Sequence, residues 1–449
     1  MSRKERYKQN KKIYGELHPY VIWLRILIFP LFSPIYILFL PVKIIKCLIK
    51  YSITLLKRKG AKCIINRRFN HFLKSNKGKK VSDFIKPIAL YLPQYHEIPE
   101  NNKWWGQGFT EWTNVKKAQP LYDGHYQPHI PHKEIGYYDL SDVNVMRKQV
   151  RIAKEYGIYG FCFYYYHFAD GKRLLEKPLN NWLKETDIDF PFCFAWANEN
   201  WTRTWDGGNK EVIMPQDYDE QNMLNMLRDM LPAFHDKRYI KIDNKPLLLV
   251  YRAEIIPQIK GLTRKWRNLI KENGFEDLYL VSMQNFEQKN PYKMGFNAAV
   301  EFAPQALKKP VNFNVSKELA STSQYNAVVL SMSEILKKMI YRFPVSYPRI
   351  KSICPSWDNT ARRGEKAPRF IYNATPSSFN KFMRLSIKEA LSYRTISKFS
   401  SVQEFLFINA WNEWGEGAHL EPDEKYGYEW LEIIKNICNQ PVENITDLK

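Results

Sequence analysis

Two carboxylates three residues apart, Glu413 and Glu416, lie in the run Trp411-Asn412-Glu413-Trp414-Gly415-Glu416-Gly417, among aromatic rings and glycines. Two acids so placed can give a proton to one atom of a substrate and take one from another, provided their surroundings set their pKa values apart. The residues just before them, Phe405 to Ala410, form a short apolar run that reads as a buried strand. An ionised acid at the tip of such a strand is unfavourable without a partner, so packing does not account for the pair. The glycines permit positive φ in the turn and let a ligand approach the backbone closely. The composition fits a sugar ligand. Aromatic residues make up 15% of the chain, with 13 Trp and 28 Tyr, and such rings stack on flat apolar faces.

A loop of this kind needs a rigid scaffold. Eight apolar runs of strand length recur along the chain: Ile88–Leu92, Gly160–Tyr165, Phe192–Ala197, Leu247–Tyr251, Leu278–Met283, Ala298–Phe302, Ser352–Ser356 and Phe405–Ala410. Amphipathic stretches fall between most of them; Ser141–Tyr156 and Asp219–Phe234 each open on Ser or Asp in the manner of a helix cap. Near-continuous apolar strands alternating with helices predict a (β/α)8 barrel, in which the active site sits at the C-terminal ends of the strands. Polar and aromatic clusters do follow these runs. They supply the candidate ligand-binding residues Tyr91, Gln94, Tyr95, His96, Trp105, Glu111 and Trp112 from the first, and Tyr165 and His167 from the second. The third and fourth supply Trp196, Asn198, Glu199, Trp201 and Tyr251, and the last supplies Trp411, Asn412 and Trp414. Trp105, Trp201 and Trp414 are the candidates for stacking on sugar, whereas Trp182, Trp266 and Trp430 read as helix-face core.

The net charge of +22 belongs mostly to the N-terminal part. Residues 1–86 hold 21 Lys and Arg against 3 acids, and residues 87–449 hold 47 against 43, so the two parts carry +18 and +4. A nucleic-acid partner is therefore not expected for the main domain, and the first 86 residues are suited to an anionic surface. Within them Ile26 to Val42 is uncharged but interrupted by Pro30, Pro34 and Pro41, with basic residues on both flanks. A membrane-associating segment over about residues 20–48 is expected, re-entrant or interfacial at the cytosolic face, with a single spanning helix as the rival. Residues 60–86 read as a linker, 87–440 as the catalytic domain and 441–449 as a tail. The six cysteines form no CxxC pair and no Cys/His metal spacing, and no GxGxxG or P-loop follows a strand, so neither a metal nor a cofactor is expected.

Four motifs together resemble a known family: Tyr91-Leu92-Pro93-Gln94-Tyr95-His96, Trp105-Gly106-Gln107-Gly108-Phe109-Thr110-Glu111-Trp112, Trp196-Ala197-Asn198-Glu199-Asn200-Trp201 and Trp411 to Gly417. They are similar to those of the WbsX-type glycosyltransferases of bacterial surface-polysaccharide loci, whose domain resembles glycoside hydrolase family 99, the endo-α-mannosidases. The resemblance spans about Pro87 to Trp430 and implies a (β/α)8 fold. It also implies roles: Glu413 deprotonates the sugar 2-OH so that it attacks its own anomeric carbon, and Glu416 protonates the leaving oxygen. The expected substrate is an oligo- or polysaccharide, free or lipid-linked. Glycosyl transfer, hydrolysis of mannose-like glycans and non-catalytic glycan binding stay open as functions.

Overall fold

The computed structural model describes residues 65–203, 208–285, 289–305, 328–339, 345–363, 370–395 and 404–447. The apolar runs form β1 (Lys86–Tyr91), β2 (Gly160–His167), β3 (Phe192–Trp196), β4 (Lys245–Val250), β5 (Tyr279–Gln284), β6 (Ala298–Glu301), β7 (Arg349–Ile353) and β8 (Phe405–Ile408). Each is parallel to the next, and β8 returns to β1, with Phe405 opposite Lys86 and Ile408 opposite Ala89. The sheet closes. This is the expected barrel, and helices α1 (Val143–Glu155), α2 (Lys177–Lys184), α3 (Glu220–His235), α4 (Ile259–Glu272), α5 (Met332–Met339), α6 (Pro376–Arg394) and α7 (Glu429–Asn439) fall between or after its strands. Between β5 and β6 the described residues hold only the short 3-10 turn Pro291–Met294.

The helix starts follow their caps. The Asp142 carboxylate accepts from the Asn144 amide at the start of α1, and Asp219 accepts from Gln221 and Asn222 at the start of α3, satisfying amides that have no partner within the helix. Side chains alternate along the strands. Phe161 and Phe163 of β2 face outward onto fully buried Trp182 of α2, and truncating an aromatic in such a cluster usually costs about 3–5 kcal/mol. Trp266 and Trp430 are buried too, as expected.

Strand β7 begins three residues earlier than the apolar pattern indicates, and it carries Arg349 and Lys351 as nearly inaccessible side chains. Lys351 Nζ lies 3.1 Å from Glu301 of β6 and 2.5 Å from Glu389 of α6, and Arg349 Nε lies 3.2 Å from Glu301. Paired in this way, charges enter a strand at positions where local hydropathy marks it as not yet begun.

The compact unit is wider than expected at both ends, beginning at Ile65 and taking in the described residues up to 447. Residues 65–75 are helical rather than linker, and Phe69, Val81, Val442 and Ile445 are buried in the core. Lys80 bridges Pro441, joining the two ends. The expected membrane-associating segment lies outside the described residues. Among the described residues, no helix is long and apolar enough to cross a membrane.

Candidate active site

Beyond β8 the chain forms a small hairpin of β9 (Asn412–Glu413) and β10 (Ala418–His419), joined by the turn Trp414–Glu416. Glu413 and Glu416 therefore sit at the C-terminal mouth of the barrel. The hairpin is tied to the end of β1 by paired bonds: Asn412 Oδ1 accepts from the Leu92 amide at 2.7 Å, and its Nδ2 donates to the Leu92 carbonyl at 3.0 Å. The Tyr95 hydroxyl donates to the Asn412 carbonyl at 2.5 Å and accepts from the Trp414 amide at 3.2 Å.

The glycines of the turn are required by protein rather than by a ligand. A side chain at Gly415 would place its Cβ 2.0 Å from Glu111 Oε1, and Gly417 has φ +57 with the Asp358 backbone 3.1 Å from where a Cβ would be. The turn is thus pressed against two other loops.

Those loops supply the electrostatics. Arg362, beyond β7, meets three carboxylates: Glu111 at 2.7 Å through Nε, Glu413 at 2.6 Å and Glu416 at 2.9 Å through its terminal nitrogens. Burial opposes the Arg362 charge, yet the three acids hold its pKa well above the ordinary arginine value. Burial pushes Glu413 up to about 8 against the pull of Arg362, with Glu416 and Glu111 adding repulsion. Burial likewise raises Glu416, again opposed by Arg362. Three acids around one guanidinium leave an excess negative charge, so the cluster retains a proton near neutral pH.

Behind the turn lies Glu421, fully buried, accepting from Trp411 Nε1, Trp414 Nε1, Gln149 Nε2 and the Tyr138 hydroxyl at 3.1, 2.7, 2.6 and 2.8 Å. Burial pushes it up to about 7, while these bonds lower it. The two indoles that flank Glu413 are thereby held from below.

In front of the turn opens a cleft of about 520 Å³ lined from the ends of seven strands. Tyr164 and Tyr166 come from β2, Glu199 and Trp201 from beyond β3, Tyr251 from β4, Asn285 from β5 and Phe302 from β6. Trp357, Arg362 and Arg363 follow β7, and Glu413 and Glu416 follow β8. Glu199 is ion-paired with Arg252, and burial raises its pKa despite that partner.

Of the residues named from sequence, the structure brings Glu413, Glu416, Glu199, Trp201 and Tyr251 into the cleft, with Glu111 reaching it through Arg362. Others are placed in the packing around it. Trp414 is fully buried and stacks on His419 at 3.7 Å, Trp112 packs on Trp414, and Trp411 and Asn412 are inaccessible. Tyr91 donates to Gln149, Trp196 to the His167 carbonyl, and His167 pairs with Asn222 of α3. Asn198 exchanges two bonds with the Arg252 backbone. Gln94 and His96 are buried outside the lining, and Trp105 lies against Arg203. Tyr165 faces Arg173 on the outer side of β2, because alternation gives the cleft to Tyr164 and Tyr166 instead. Arg362 and Arg363 were not named from sequence. The signal for them is the buried acid pair itself, which demands a cation from another loop.

Residues 87–434 match the family model described as Glycosyltransferase WbsX. Two curated proteins from strains of Xanthomonas campestris pv. campestris, each described as uncharacterized protein WxcX, are 38% identical over 361 residues, which is 80% of this chain and 50% of theirs. The chain spans about half the length of these relatives. A solved structure described as a glycoside hydrolase-like protein superposes with a TM-score of 0.51 at 13% identity, over 79% of this chain and 94% of its own, a likeness of fold. The GH99 endo-alpha-mannosidase from Bacteroides thetaiotaomicron superposes with a TM-score of 0.47 at 13% identity, over 78% and 95% of the two chains.

Proposed function

The chain belongs to the WbsX glycosyltransferase family, and on that premise we propose that it transfers glycosyl groups in the assembly of a bacterial surface polysaccharide, with Glu413 and Glu416 as its acid–base pair. The observation that carries this reading is the pair itself. Two buried acids share one guanidinium at 2.6 and 2.9 Å on the wall of a cleft that also holds Trp201, Tyr164 and Tyr251. A cleft of this size takes a sugar residue with its neighbours.

In the substrate-assisted route, Glu413 takes the proton of the sugar 2-OH, whose oxygen bonds to the anomeric carbon. The bond from that carbon to the leaving oxygen breaks, and Glu416 supplies the leaving oxygen with a proton. Glu416, now ionised, takes the proton of an acceptor hydroxyl. The acceptor oxygen then bonds to the anomeric carbon as the bond from that carbon to O2 breaks, and O2 recovers its proton from Glu413. Water in place of the acceptor gives hydrolysis by the same steps. Because the nucleophile belongs to the substrate, the rule linking carboxylate separation to stereochemistry does not apply. The division of roles follows the motif resemblance; the electrostatics favour a proton on Glu413, and glutamine variants of each acid separate the two assignments.

The direct test incubates the full chain with polysaccharide fragments, with and without nucleotide-linked and lipid-linked sugars, and follows the products by mass spectrometry. Donor-dependent lengthening is expected. Shortening without a donor makes the protein a hydrolase, and no change with any substrate sinks both readings in favour of glycan binding. Glu199 lies in the cleft, ion-paired with Arg252 rather than with Arg362, which suits a hydrogen bond to a sugar hydroxyl. Glu199→Gln is expected to raise KM about tenfold with kcat nearly unchanged, the pattern of lost uniform binding. A large fall in kcat at constant KM would instead make Glu199 a reacting acid.

We further propose that the basic N-terminal part holds the protein at an anionic membrane surface, supported by the +18 charge of residues 1–86. Co-sedimentation with anionic but not neutral vesicles, weakening as salt rises, is the expected result; equal binding to both refutes it.

A further inference from the structure

Next to the hairpin that carries Glu413, and outside the cleft lining, three side chains meet that the mechanism does not use: His129, His419 and Asp423, exposed to 6%, 1% and 1%. Their backbones are fixed to one another. Pro131 bridges Asp423, the Glu424 amide donates to the Ile130 carbonyl at 2.9 Å, and the His132 amide donates to the Pro422 carbonyl at 2.9 Å. His419 closes the hairpin that carries Glu413, and the Trp414 ring stacks on it.

The protons in this cluster can be counted. His419 Nδ1 is 2.9 Å from the Glu421 carbonyl oxygen, which can only accept, so Nδ1 carries the proton. In the neutral ring, Nε2 then presents a lone pair. His129 Nδ1 lies 2.8 Å from that lone pair and donates to it. Asp423 Oδ1 accepts from the Tyr426 amide at 2.6 Å, but Oδ2 is buried without a hydrogen-bond partner among the described residues. Oδ2 stands 3.7 Å from the same Nε2. Asp423 Oδ2 is thus left in a buried gap without a donor, since the imidazole nitrogen it faces carries no proton, an unfavourable arrangement. Neighbouring His125 does not relieve it. Its Nδ1 accepts from the Leu121 amide at 3.0 Å, so its Nε2 donates to Asp358 at 2.7 Å.

We propose that His129 Nδ1, His419 Nε2 and Asp423 Oδ2 bind one divalent transition-metal ion of the zinc class, which pins the hairpin carrying the catalytic acids. The three donor atoms lie within 4.8 Å of one another. Ligands on a tetrahedral zinc, each about 2.0–2.1 Å from the ion, stand about 3.4 Å apart, so the separations of 2.8 and 3.7 Å bracket the requirement. Two imidazoles with one carboxylate is a donor set for such ions, and His419 already makes the backbone bond through its other nitrogen that orients metal-bound histidines. On binding, the proton now on His129 Nδ1 moves to its Nε2, and the ring stays neutral. The burial of all three ligands gives the ion a structural role, acting on catalysis through the Trp414 stack.

The test uses the untagged full chain, purified without chelator, and reads its metal content, then strips it and titrates zinc(II) and cobalt(II) by calorimetry, visible absorption and thermal unfolding. About one equivalent of metal per chain is expected, with a rise of several degrees in Tm on zinc addition and cobalt bands in the visible. Asp423→Asn and His129→Asn are each expected to weaken binding by more than about tenfold and to remove the Tm response. Absence of metal from the purified chain together with no Tm response to either ion overturns the proposal, and so does binding that both variants leave intact. If a variant does not fold, the wild-type measurements decide. None of these readouts needs a sugar substrate, so the outcome stands apart from the catalytic reading.

Discussion

Glu416→Gln is expected to lower glycosyl-transfer turnover by about 10²–10⁴-fold, the usual contribution of a positioned acid–base group, with little change in fold. The amide keeps the volume of the carboxyl and can still accept from Arg362, which contacts Glu416 at 2.9 Å. What it loses is the transferable proton. Glu413→Gln is expected to be as severe, since the 2-OH then keeps its proton. The two variants part company on substrates with a good leaving group, whose departing oxygen needs no proton. If Glu416 is the acid, such a substrate restores much of the Glu416→Gln rate and none of the Glu413→Gln rate; the reverse assigns the acid to Glu413. In the wild type, the step that draws on the cluster's proton weakens as pH rises through the upper pKa, toward the value of about 8 to which burial pushes Glu413. Turnover within twofold of wild type in both variants would remove the pair from the chemistry altogether.

The barrel was legible because its signal is local and repeated: a buried parallel strand is a short apolar run, and eight such runs need no long-range knowledge to be seen. β7 shows the limit of that signal. Its start is carried by Lys351 and Arg349, whose burial depends on Glu301 and Glu389 arriving from elsewhere in the chain. The same distinction divides the site. Glu413 and Glu416 were visible as acids where hydropathy forbids them, and Arg362, 51 residues before Glu413, had no local mark. Phase within a strand was the other difficulty, since Tyr164, Tyr165 and Tyr166 are chemically alike and only the sheet decides which pair faces the cleft. Aromatic motifs misled for a related reason. A Trp beside an acid can stack on sugar or support the acid, and Trp411 and Trp414 do the second, through Glu421.

Arg362→Met is expected to produce the largest loss of stability, about 3–5 kcal/mol at pH 8, the scale for removing one partner of a buried ion cluster. Its sign with pH follows from the acids left behind. Glu413 has a folded pKa raised to about 8, against an unfolded value of about 4.3. Between those values the folded state holds the extra proton, so stability falls as pH rises through that window. Without Arg362, Glu413 and Glu416 lose the cation that lowers them, their folded pKa values climb further, and the slope steepens. The melting-temperature deficit of the variant is therefore expected to be small at pH 5 and to grow steadily to pH 8. Arg362→Lys tests the geometry separately. A single ammonium keeps the charge but cannot reach three carboxylates with three directed bonds, so it is expected to recover part of the stability at pH 8 and little of the turnover. A deficit that does not change with pH would mean that Arg362 acts by filling space, and the reading of the turn as a charge-balanced acid–base site would fall with it. A deficit that tracks pH, with lysine rescuing stability but not rate, would leave Arg362 as the residue that sets both the charge and the aim of Glu413 and Glu416.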